Sequence, residues 1–104
     1  MAQEISVDEL KRKMEMHEDF LLLDVREQHE LQYGAIPGFV HMPMGDIQGR
    51  IAELPKGKEI LCLCRTGHRS GEAAAFLRQQ GFDAKNISGG IFAWKKYDET
   101  VRFY

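Results

Sequence analysis

The chain has 104 residues, 43% of them hydrophobic and 29% charged, with a net charge of −2, the profile of one ordinary globular domain that can bury a core without staples. That charge offers no attraction to nucleic acid or to an anionic membrane surface. No apolar run could span a bilayer, since the longest, "FLLLDV", meets Asp24 almost at once.

The opening residues, "MAQEISVDELKRK", lack the basic-then-apolar order of a signal peptide. A cytoplasmic location is the default expectation, and there thiols stay reduced. Cys62 and Cys64 are separated by one residue, too few and too close for a disulfide framework, so thiol chemistry is the better reading. No linker, repeat or low-complexity stretch interrupts the chain, and a single domain over 1–104 is expected.

Along the chain, "ISVDELKRKMEM" starts with Ser6 and has Glu9 three residues on, a capping-box pattern, and Val7, Leu10 and Met14 recur at helical spacing. "FLLLDV" (20–25) is a continuous apolar run, as in a strand buried on both faces. "REQHELQYG" predicts a short helix closed by Gly34, and its Glu27 and Glu30 read as helix-start acids that suit the macrodipole. "AIPGFVHMP" predicts a turn, a short strand and a second turn. "GDIQGRIAEL" predicts a helix stopped by "PKGK". "EILCLC" (59–64) is a second buried strand, and Ser70 to Gln80 a helix ended by Gly81. "AKNI" predicts a last short strand, followed by "SGG" and a brief helix, "IFAWKK". In the closing "WKKYDETVRFY", Phe103 and Tyr104 either pack back on the domain or mark a join to a larger protein.

Strands thus alternate with helices, the pattern of an α/β domain with a mostly parallel sheet of about five strands and helices on both faces. Ligands of such sheets gather beyond the carboxyl ends of the strands, where Asp24 and Cys64 should lie. In "CRTGHRS" the flexible Gly67 lets the loop curl around the sulfur, so that its amides form a nest of donors. Ser70 is a good N-cap, the helix behind it adds a positive dipole, and Arg65 and Arg69 add permanent cations. All of these favour thiolate over thiol, which makes Cys64 the candidate nucleophile.

"CRTGHRSGEAAAFLRQQGF" resembles the active-site loop and helix of the rhodanese domains, the thiosulfate sulfurtransferase family. "LLLDVREQHELQYGAIPGFVHMP" is similar to that family's Asp-x-Arg strand end and its Gly-x-Ile-Pro-Gly segment, with Ala35 and Phe39 where the family usually has histidine and alanine. "ISGGIFAW" is similar to its late Gly-Gly-x-x-Ala-Trp signature. The resemblance covers nearly the whole chain. Four residues (Arg65, Thr66, Gly67, His68) separate Cys64 from Arg69, which by the resemblance is the shorter loop of sulfur-handling members, against five in the related phosphatases.

The resemblance further implies a two-step covalent transfer. Cys64 takes the outer sulfur of thiosulfate or a similar anionic donor as a persulfide, then hands it to cyanide, a thiol or a protein acceptor. Arg65 and Arg69 are the candidates for holding the donor. Thr66, Gly67, His68 and Ser70 complete the substrate-binding loop, and Asp24 and Arg26 support the rim. Cys62 reads as core packing, with a resolving thiol as the alternative. No cofactor is expected, and the spacing of Cys62, Cys64 and His68 does not suit zinc. A monomer is expected. A cysteine phosphatase or arsenate reductase, and a non-catalytic interaction module, stand as the competing readings.

Overall fold

The computed structural model describes residues 3–104. Its centre is a five-stranded, wholly parallel sheet in the order β1-β5-β4-β2-β3, formed by β1 (Glu4–Ile5), β2 (Phe20–Asp24), β3 (Val40–His41), β4 (Glu59–Leu63) and β5 (Ala84–Ile87). Three α-helices, α1 (Val7–Glu15), α2 (His68–Gln79) and α3 (Gly90–Trp94), and several short 3-10 turns complete it. This is the expected architecture.

Successive residues of a strand face opposite sides of the sheet, and here both sides are apolar. Ile60, Cys62 and Leu23 join Ala73, Ala74 and Leu77 of α2 on one face. Leu61, Leu63 and Leu22 join Leu10 of α1, Ile91 and Trp94 of α3 on the other. Double burial is why β2 and β4 read as unbroken hydrophobic runs. In α1 the Ser6 hydroxyl accepts from the Glu9 amide at 3.1 Å, and the Glu9 carboxylate accepts from the Ser6 amide at 3.4 Å, which is the capping box the sequence announces.

Two expectations fail. The predicted helix over "GDIQGRIAEL" is absent. In its place are two 3-10 turns, Met44–Asp46 and Ile51–Glu53, whose Ile47, Leu54 and Ile51 pack against the α2 face. Gly45 and Gly49 each cost a helix roughly 1 kcal/mol relative to alanine, and irregular turns bury the same side chains without that cost. Ser70 is not the N-cap of α2. The cap is Gly67, in the left-handed region at φ 103°, so the helix starts two residues earlier and Ser70 lies in its first turn.

Tyr104 folds back and stacks on Tyr33 with ring centroids 4.6 Å apart. Among the described residues, no helix is long and apolar enough to cross a membrane.

Candidate active site

Cys64 follows β4 directly and is 1% exposed. The loop after it is shaped from outside. The Cys64 carbonyl accepts from the Ile91 amide at 2.9 Å and the Arg65 carbonyl from the Phe92 amide at 3.1 Å. The Gly67 carbonyl accepts from Asn86 Nδ2 at 2.9 Å. The Arg65 carbonyl, drawn outward, leaves the other end of its peptide plane, the Thr66 N–H, facing in. The Gly67 amide donates to Cys64 Sγ at 3.1 Å, and the Ser70 amide contributes as well.

Gly90 makes this close approach possible. Its φ is +60°, and a Cβ there would sit 2.5 Å from the Cys64 carbonyl oxygen and closer still to that of Arg65. Only glycine admits both the backbone angle and the contact.

Ser70 Oγ lies 3.2 Å from Cys64 Sγ and 2.6 Å from Asn86 Oδ1. A hydroxyl carries one proton, so it faces two acceptors and can turn toward the sulfur when the sulfur is charged. Burial alone would push the Cys64 thiol up. The Ser70 hydroxyl and the amides of Ser70, Gly67 and Thr66 outweigh burial and hold it below its ordinary value of 9.0. Ser70→Ala removes a charge-assisted hydrogen bond, and the pH midpoint of Cys64 alkylation by iodoacetamide is expected to rise by about one unit. An unchanged midpoint, followed by mass spectrometry across pH, would show that the amides alone set the thiolate.

Cys62 shares the α2 face with Cys64, so the strand alternation does persist that far. Burial pushes its thiol up to about 12, and it remains a core thiol at neutral pH.

The two candidate arginines are engaged by the protein itself. Arg69 makes a bidentate ion pair with Glu30, at 2.7 and 2.8 Å, and is half-buried. Arg65 Nη1 donates to the main-chain oxygen of Tyr104 at 3.1 Å, with its guanidinium over the Phe92 and Tyr104 rings. The His68 side chain points to solvent, 86% exposed, and Thr66 is exposed, contributing its amide.

Asp24 and Arg26, both 0% exposed, form a buried pair. Arg26 Nε donates to Asp24 at 2.9 Å and Nη2 at 2.7 Å. The remaining guanidinium donors reach the Gly34 carbonyl at 2.9 Å, the Glu30 carbonyl at 3.4 Å and the Tyr104 hydroxyl at 3.3 Å. One buried cation thus ties β2 to the Gln28–Tyr33 turn and the tail.

Three contributors escape a reading of the sequence. Asn86 clamps the Gly67 carbonyl from β5, and Tyr104 comes from the far end of the chain. Glu30 reads as a helix-start acid and does cap that turn, its carboxylate accepting from the Glu27 amide at 2.8 Å. Its larger role is the pair with Arg69, whose guanidinium brings its carboxyl down to about 2 against burial, with help from the Glu27 amide and the Tyr104 hydroxyl. The folded value lies below the ordinary 4.5, so the stabilisation is complete above that pH and fades as pH falls toward 2. Among the described residues, no group of three or more His, Cys, Asp or Glu side chains could hold a metal ion.

A wholly parallel sheet with a cysteine cradled at the carboxyl end of its central strand defines a class, and the comparisons identify it. Residues 6–97 match the rhodanese-like domain family, and the chain belongs to that family. A Bacillus subtilis protein provisionally named the sulfurtransferase YtwF is 44% identical over 93 residues, 89% of this chain and 90% of that protein. An Allochromatium vinosum protein named a sulfurtransferase is 39% identical over 98 residues, 93% of this chain and 92% of that one. Among solved structures, a rhodanese-like domain protein from Staphylococcus aureus superposes with a TM-score of 0.84 at 33% identity, over 90% of this chain and 91% of that one.

Proposed function

We propose that this protein is a sulfurtransferase that carries sulfane sulfur as a persulfide on Cys64. The observation that carries this reading is the ring of donors converging on Sγ from the Thr66, Gly67 and Ser70 amides and the Ser70 hydroxyl. The family relatives named sulfurtransferases support it.

In the first half-reaction the Cys64 thiolate attacks the outer sulfur of thiosulfate. The S–S bond of the donor breaks, its electron pair leaves with sulfite, and a Cys64–S–S⁻ persulfide forms. In the second, a thiophilic acceptor such as cyanide or a thiolate attacks the terminal sulfur, and the pair returns to Cys64 as thiolate. No net oxidation occurs over the cycle. Cys64 is almost fully covered, so the donor must approach end-on, with its outer sulfur leading. The same donors that favour the thiolate then stabilise the terminal persulfide anion without reorganising, which is where most of the acceleration arises. The four-residue spacing from Cys64 to Arg69 makes a narrow collar, suited to one sulfur and tight for a tetrahedral phosphate with three oxygens.

The test is direct. The reduced protein is incubated with thiosulfate, its intact mass is taken, and the peptides are mapped. One added sulfur atom, located on Cys64 and discharged by cyanide as thiocyanate, is the expected result. Hydrolysis of an aryl phosphate without sulfur uptake would favour the phosphatase reading, and silence in both assays the interaction module.

A further inference from the structure

Tyr104 is tied into the site through its hydroxyl, its ring and its main-chain oxygen. The Tyr104 hydroxyl donates to Glu30 Oε1 at 3.0 Å, the same oxygen that accepts from Arg69 Nη2, and it accepts from Arg26 Nη1 at 3.3 Å. Its main-chain oxygen holds Arg65 Nη1. Its ring stacks on Tyr33 and meets Phe92 edge-on with centroids 5.4 Å apart, and the Arg65 guanidinium lies 5.6 Å from its centroid. The hydrogen-bonding partners are 39 to 78 residues distant in sequence, so these contacts are tertiary and hold together only while the tail is docked.

From this geometry we infer that Tyr104 is a positioning residue of the Cys64 site, holding Arg65 directly and Arg69 through Glu30, and so setting how well an anionic sulfur donor is received. The inference rests on the sulfurtransferase reading for its biological sense, but not for its test. A flexible arginine on a surface loop spends little time in one place, whereas one laid across two aromatic faces and hydrogen-bonded to the main chain is pre-oriented. Arg69 is held differently. Glu30 fixes it and partly neutralises it, and the Tyr104 hydroxyl shares the charge of Glu30. Loss of that hydroxyl leaves more negative charge facing Arg69, and loss of the ring frees Arg65. Both changes make the surroundings of the thiol less welcoming to an anion.

The experiment compares alkylation of Cys64 by iodoacetate, which is anionic, and by iodoacetamide, which is neutral. Both report the thiolate equally, so their rate ratio isolates the charge that an incoming anion meets. In Tyr104→Ala the iodoacetate-to-iodoacetamide ratio is expected to fall about two- to fivefold, the worth of an exposed cation–π contact. Tyr104→Phe keeps the stacking and is expected to fall less, in the same direction. The KM for thiosulfate should rise in the same order with kcat little changed. An unchanged ratio in Tyr104→Ala, even with a lowered melting temperature, overturns the inference, because a merely structural anchor would behave that way. Should Tyr104→Ala not fold, an unchanged ratio in Tyr104→Phe overturns it equally. A falling ratio in a protein that takes up no sulfur would uphold the positioning role while the sulfurtransferase reading fails.

Discussion

Cys64→Ser will take up no sulfur from thiosulfate, while Cys62→Ala will take up one atom per chain, the uptake expected of the parent. A serine hydroxyl is nearly isosteric with the thiol and leaves the Gly67 and Ser70 donors a partner, so the fold is kept. It also keeps its proton at neutral pH. The ring of donors lowers a thiol from 9.0, but a hydroxyl starts too high for the same donors to ionise it, and no comparable nucleophile results. Cys62 tests the opposite claim. Its thiol stays protonated, pushed up to about 12 by burial, and it is 0% exposed among Ile60, Leu23 and Ala84. Replacing it should cost about 1 kcal/mol of packing and no uptake. Intact mass after thiosulfate, taken with a thermal melt, separates the two effects. Sulfur on the Cys64→Ser protein, or none on a folded Cys62→Ala protein, would remove Cys64 from the centre of the mechanism.

What the sequence reveals and what it hides divide along one physical line. The capping box of α1, the strands "FLLLD", "EILCL" and "AKNI" and the donor-rich loop after Cys64 depend on neighbours a few residues apart, and a local pattern carries them. β1 escapes detection because it has two residues, one exposed, and exists only through pairing with β5. Ser70 illustrates the limit well. By type and position it looks like a helix cap, and its hydroxyl instead serves Cys64 and Asn86, the latter 16 residues on. Glu30 is the same case at longer range, since its partner Arg69 is 39 residues away. An acid near a helix start satisfies the local rule whether or not a guanidinium waits across the sheet. Arg65 and Arg69 were readable as the cations of the loop, yet only the fold reveals that both already have partners.

The buried Asp24–Arg26 pair carries the largest expected effect on stability. Arg26→Met is expected to destabilise the domain by about 3–5 kcal/mol, because it leaves the buried Asp24 carboxylate without its guanidinium partner, with the main-chain amide of residue 26 still donating to it at 3.1 Å. The loss extends beyond the ion pair. The carbonyls of Gly34 and Glu30 and the hydroxyl of Tyr104 each lose a donor, and unsatisfied buried acceptors cost further. For a domain of this length the melting temperature should drop on the order of 20 °C, a change readily followed by circular dichroism. Combining Asp24→Asn with Arg26→Met removes the lone charge as well, so the double variant should recover part of the loss, and the non-additivity measures the pair itself. A methionine stem fills most of the volume of the arginine stem, which keeps cavity formation a minor contribution. The consequence reaches the site through Glu30, whose turn Arg26 holds from below while Arg69 holds it from the loop side. A cost below about 1 kcal/mol, the size of an exposed ion pair, would mean that this cation is dispensable and that the rim is held by the sheet alone.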